Sequence, residues 1–123
     1  MEQESISMEV VNPHAAGIDV GSRSHWVAVG QKEEDIKEYG VYNEDLFALA
    51  DWFKEKKIKT VAMESTGTYW QNLYAVLISR GFKVILCNGK FTKNIKGKKT
   101  DVKDCQWIQK LHTLGLLSSS FLP

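Results

Sequence analysis

The chain has only two cysteines, Cys87 and Cys105, in 123 residues. Without a second pair they exclude a four-cysteine zinc site, and their spacing matches no redox motif. Cys87 ends an apolar run and Cys105 falls on an apolar helical face, so both are expected to be small buried core residues. The three histidines, His14, His25 and His112, show no metal-ligand spacing. His112 lies on the inward face of a predicted helix, where core or helix-end duty is expected. No apolar run approaches the roughly 20 residues that span a bilayer, so no membrane partner is expected. The opening Met-Glu-Gln-Glu-Ser-Ile-Ser is acidic and lacks a basic-then-apolar signal pattern, which makes the cytoplasm the expected location. No internal repeat is present.

What is there is an ordinary globular composition, 43% hydrophobic and 25% charged, at a length that predicts one domain. The net charge of +1 hides an asymmetry. Residues 1–89 hold 9 basic and 13 acidic side chains, whereas residues 90–123 hold 7 basic and 2 acidic. A near-neutral total would not suggest nucleic acid; a basic C-terminal part does.

Periodicity predicts three strands first: Ala15–Val20, a tight turn at Gly21, His25–Val29, a polar hairpin loop over 31–35, and Ile36–Tyr42. Asn43 is a suitable N-cap for a helix with Leu46, Leu49, Ala50 and Phe53 at helical spacing. Thr60–Met63 is a short buried strand running into Glu64. Thr68 is placed to cap a second helix with Leu73, Val76 and Leu77 inward, closed by Gly81. Lys83–Cys87 is a fifth strand. After a polar stretch over 88–100, Thr100 is placed to cap a last helix that runs to about Leu114. The order is strand, strand, strand, helix, strand, helix, strand, helix. It predicts an α/β domain with a mixed five-stranded sheet and helices on its faces, the order of the ribonuclease H-like fold.

Four carboxylates stand out in that frame. Asp19 lies in Gly-Ile-Asp-Val-Gly, Glu64 in Val-Ala-Met-Glu-Ser-Thr-Gly, and Asp101 and Asp104 in Lys-Lys-Thr-Asp-Val-Lys-Asp. The first two sit at strand ends. On a helical wheel the last two share an arc with Ile108 and Leu111, while Gln106, Gln109 and Lys110 fall opposite. Acids on an inward arc need a partner, and a hard divalent cation such as Mg²⁺ (or Mn²⁺) is one. Two such ions roughly 3.5–4 Å apart support phosphoryl transfer. The plainer alternative is that Asp101 and Asp104 are first-turn helix acids, Asp19 a strand-end acid, and Glu64 a helix-start acid. Ser65, Thr66 and Thr68 offer hydroxyls for a phosphate, or simply a turn.

Lys93, Lys96, Lys98, Lys99 and Lys103 lead into the acidic pair. They are either a solvated loop or a set of contacts to a nucleic acid backbone. Tyr69-Trp70, beside Glu64, could stack on a base. The four tryptophans, Trp26, Trp52, Trp70 and Trp107, are spread over different elements in a core pattern.

The segments Gly-Ile-Asp-Val-Gly, Met-Glu-Ser-Thr-Gly-Thr-Tyr-Trp and Lys-Lys-Thr-Asp-Val-Lys-Asp, with the ending Ser-Phe-Leu-Pro, resemble the N-terminal domain of DEDD transposases. The resemblance is to the IS110 insertion-sequence group and the related Piv-type DNA invertases, from about Gly17 to Pro123. It implies a RuvC-like catalytic domain over 14–117, with Asp19, Glu64, Asp101 and Asp104 as Mg²⁺ ligands. It also implies DNA cleavage and strand transfer during transposition, a structured guide RNA from the element, and a homo-oligomer. Residues 1–13 are expected to be a flexible segment, and 118–123 the start of a linker to a further, serine-bearing domain. Two other readings remain at this stage. One is a nucleic-acid-binding module without independent catalysis. The other is half of an actin-like ATPase, which the lack of a second phosphate-binding lobe disfavours.

Overall fold

A computed structural model describes residues 9–65, 67–87 and 104–117. Among them the chain forms β1 (Ala15–Asp19), β2 (His25–Ala28), a 3-10 turn (Glu33–Asp35) and β3 (Ile36–Tyr39). There follow α1 (Asn43–Glu55), β4 (Thr60–Glu64), α2 (Gln71–Ser79), β5 (Lys83–Cys87) and α3 (Asp104–Thr113). The sheet order is β3-β2-β1-β4-β5. The first three strands form an antiparallel meander, and β1, β4 and β5 are parallel neighbours. This is the mixed five-stranded α/β architecture expected from the element order.

Alternation along the central strands sorts their side chains onto two faces. Ala16 and Ile18, Val61 and Met63, and Val84 and Leu86 turn to one side, against Leu46, Leu49 and Phe53 of α1 and Leu73 and Leu77 of α2. Aromatic rings extend this layer: Phe53 meets Phe82 edge-on at 5.9 Å and Trp52 at 6.2 Å. The opposite face has a smaller apolar cluster, Ala62, Cys87 and Ile108, with Ile85 and Leu117 beside it. There α3 is the covering helix.

The helix ends share one device. Lys57 (φ 62°), Gly81 (φ 92°) and Gly115 (φ 72°) turn left-handed after α1, α2 and α3. The following amides, those of Ile58, Phe82 and Leu116, donate to Phe53, Leu77 and Leu111 carbonyls at 2.9–3.1 Å. Gly81 therefore closes α2 as its sequence position suggests. The start of α1 differs from expectation. Tyr42, extended at φ −80°, is the N-cap, and Asn43 is already helical. Asp45 carries the capping role instead, because its carboxylate reaches back to accept the Tyr42 N–H at 3.1 Å. Likewise α2 begins at Gln71 after Trp70, with Thr68 contributing its carbonyl to the Gln71 N–H at 3.5 Å rather than a side-chain cap.

The stretch read as loose is tied down at two described positions. Val11 and Asn12 donate their backbone N–H groups to the Thr113 carbonyl at 2.8 and 2.9 Å. Asn12 also donates its side-chain amide to the His112 carbonyl at 2.7 Å. Among the described residues, no helix is long and apolar enough to cross a membrane.

Candidate active site

The register places two of the four acids side by side. Asp19 pairs with Glu64 across β1 and β4, and Glu64 pairs with Cys87 across β4 and β5. On the other flank Asp19 opposes Trp26 of β2. One row of side chains thus crosses four strands at the carboxyl ends of the parallel ones. Adjacent strands lie about 4.8 Å apart, so the two carboxylates are immediate neighbours. The preceding residues Ile18, Met63 and Leu86 face the α1/α2 core, so Asp19, Glu64 and Cys87 project on the α3 side.

Glu64 is 8% exposed and Asp19 is half-buried. Burial, and then the negative charge of Glu64, push the Cys87 thiol up to about 12. Cys87 therefore stays a protonated, inert thiol at neutral pH. Cys105 is fully buried. Both cysteines have the core placement expected of them.

How α3 reaches this face depends on Gly17. A Cβ at that position would lie 2.4 Å from the Gln109 nitrogen and 2.7 Å from the Cys105 carbonyl oxygen. The helix backbone therefore rests directly on β1, two residues before Asp19. The helix runs antiparallel to β1. Its last turn sits over the start of the sheet, where His112 Nε2 and Thr60 Oγ1 are hydrogen-bonded at 2.9 Å. Its first residue, Asp104, therefore lies toward the acid end.

Amides hold the helix in place. Gln109 Nε2 donates to the Ala15 carbonyl at 3.1 Å. Gln31 Nε2 donates to Gln109 Oε1 at 2.6 Å and to the Gln106 carbonyl at 2.9 Å. Gln106 Nε2 donates back to the Gln31 carbonyl at 2.9 Å. This corrects the helical-wheel expectation. Gln106 and Gln109 are buried, at 7% and 8% exposure, and Asp104 is exposed. The inward arc is rotated toward the glutamines because Gly17 admits the backbone so closely that amides, not aliphatics, meet the strand.

His112 is 5% exposed, and its Nδ1 has no partner among the described residues. Burial, then the charge of Lys83, lowers its pKa from 6.5 to about 4. It stays neutral and serves the helix end, as its sequence position suggests.

Other expectations fall outside the described residues: Asp101, Lys93, Lys96, Lys98, Lys99, Lys103 and Thr66, as do 1–8 and 118–123. Among the described residues no three His, Cys, Asp or Glu side chains form a group able to hold a metal ion. Asp19 and Glu64 are brought together, and Asp104 stands at the start of the helix over the same face. Ser65 is engaged in a turn, its hydroxyl bonding with Gly67 at 3.4 Å. Only Trp52 of the four tryptophans is fully buried; Trp26, Trp70 and Trp107 are half-buried.

No curated protein matches the chain closely enough to serve as a relative. A family model described as a transposase, the DEDD domain of the IS110 group, matches residues 16–122. That span takes in the sheet from Ala16 onward and the three described helices, together with all four acids. The mixed five-stranded sheet is consistent with it, and the chain belongs to the DEDD transposases of the IS110 family.

Proposed function

We propose that this domain is the DNA-cutting part of the transposase, with Asp19, Glu64, Asp101 and Asp104 holding Mg²⁺ or Mn²⁺. The observation that carries the reading is the register pairing of Asp19 with Glu64 at the carboxyl ends of two parallel strands. The donor set fits the group: carboxylate oxygens are hard ligands, and two on adjacent strands suit a cation that keeps part of its water. Bound there, the cation would supply charge stabilisation at a scissile phosphate and an activated attacking oxygen.

The chain's own residues have distinct tasks. Asp19 and Glu64 are fixed by the sheet, which limits their motion more than a loop would. Asp104 is delivered by α3, whose height over the sheet is set at Gly17. Asp101, three residues earlier in the sequence, completes the set. Lys93, Lys96, Lys98, Lys99 and Lys103 neutralise phosphates and draw the backbone toward the acids. None of these groups reads bases, so target choice belongs to a guide RNA, and strand exchange to a homo-oligomer acting in the cytoplasm.

The test pairs cleavage with metal binding. Purified chain is incubated with labelled DNA and Mg²⁺, and its melting temperature is followed through a Mg²⁺ and Mn²⁺ titration. Metal-dependent nicking and stabilisation are expected, and Asp19→Asn and Glu64→Gln should abolish both while remaining folded. A nicking rate unchanged in either variant rejects the assignment. The second reading, a nucleic-acid-binding module without independent catalysis, is favoured by the exposed Asp104 and the absence of a three-ligand group among the described residues. Binding without nicking supports it.

A further inference from the structure

A cleft opens at the same end of the sheet as the acids but on the opposite side. It has a volume of about 300 Å³ and an apolar floor of Leu46 and Leu73. Ser22, from the turn after β1, and His25 of β2 form one wall; Thr68, Tyr69, Gln71 and Asn72, from the segment after β4 and the start of α2, form the other. Among the described residues no lysine, arginine or carboxylate lines it. A phosphate would find no countercharge there.

The lining suits a flat, uncharged ring with hydrogen-bonding edges. Tyr69 is 58% exposed. A Cβ on Gly67 would touch its Cε2 at 3.4 Å, so the ring lies directly over that glycine. Trp70, the neighbouring ring, is occupied: it packs edge-on against Tyr74 at 5.7 Å and against the core. Of the two rings after Glu64, Tyr69 is the one free to stack. Gln71 and Asn72 carry side-chain amides, the groups that match base edges with paired donors and acceptors. His25 is 2% exposed, and its Nδ1 accepts the Gly21 N–H at 3.2 Å. In the neutral ring this leaves the proton on Nε2, so the tautomer is set and the ring presents a donor there. The volume is at the low end for small-molecule sites, enough for one base and too small for a duplex.

We propose that this cleft holds one unpaired nucleobase of a single strand, stacked on Tyr69 and met at its edge by Gln71 and Asn72. The base enters from the strand end of the sheet, so the same strand can continue toward Asp19 and Glu64 on the other face. This rests on the reading of the chain as a nucleic-acid enzyme.

The test is fluorescence anisotropy with a labelled single strand, in DNA and RNA versions, against the same strand made abasic and against a duplex. The intact strand should bind roughly tenfold more tightly than the abasic one, as stacking on an aromatic ring allows. Tyr69→Ala should bring that ratio close to one, Tyr69→Phe should preserve it, and duplex binding should not change. A higher ratio with DNA or with RNA supports the proposal and identifies the strand. A ratio near one in the unsubstituted chain, or an unchanged ratio in Tyr69→Ala, overturns it. If metal-dependent nicking persists in either case, the cutting assignment stands and only the base site falls. No binding to any nucleic acid overturns both.

Discussion

The two faces of the sheet are built from different chemistry. Under α1 and α2 the contacts are aliphatic and aromatic, from Ile18 and Met63 to Phe53 and Phe82. Under α3 a small apolar cluster of Ala62, Cys87 and Ile108 is joined by a glycine against backbone, a Gln31–Gln106–Gln109 amide set, a His112–Thr60 bond and the two acids. Apolar burial is non-directional and tolerates small shifts; hydrogen bonds and backbone contact do not. The first face supplies most of the folding free energy. The second fixes the position of α3 over the strands that carry Asp19 and Glu64. The same strands serve both because alternate residues point to opposite sides.

That contrast can be broken deliberately. The largest effect should come from Phe53→Ala on the apolar face. It should cost about 3–5 kcal/mol, read by denaturant unfolding, and lower activity only through loss of folded protein. Gly17→Ala on the other face should cost less, about 3 kcal/mol, because the new methyl meets backbone that cannot step aside. Its nicking rate per folded molecule should nevertheless fall at least tenfold, since α3 is lifted from the strand that carries Asp19. If Gly17→Ala unfolds the chain no less than Phe53→Ala and leaves that rate intact, the division between faces is wrong.

The smallest effect is a pH dependence. His112 is held at about 4 when folded, against 6.5 when exposed, so the unfolded chain binds more protons between those values. Its contribution to stability is complete above pH 6.5 and is lost as pH falls toward 4. The loss between pH 6.5 and about pH 5 should be about 1–2 kcal/mol, measured by urea midpoints across that interval. The difference between the unsubstituted chain and His112→Gln, which cannot titrate, isolates it. Parallel curves for the two would show that His112 is not the source.

Much of this was legible in the residues. Strand alternation and glycine punctuation located all five strands, and Lys83–Cys87 is observed with the bounds read from the sequence. Gly81 marked a helix end because only a left-handed residue closes it there. The third strand stops at Tyr39, short of the expected Tyr42, because Asp45 draws Tyr42 into the cap of α1. The orientation of α3 was not legible. A helical wheel assumes that amides face water, and nothing in the spacing of Gln106 and Gln109 reveals that Gly17 lies beneath them. That Asp19 and Glu64 lie side by side follows from the convergence of strand ends in a parallel sheet, and the register shows it. The exposure of Asp104 was not legible, because its side of the wheel depended on that same rotation.

Two neighbouring acids come from β1 and β4, within the first 64 residues of the chain, while the helix that closes over them is the last described element. A ribosome that has made only the first 64 residues has already supplied Asp19 and Glu64, yet under the proposed assignment nothing in that nascent piece can cut. Under that assignment, arming would wait for a late segment to dock on a bare glycine, and cutting would require synthesis to have passed Asp104.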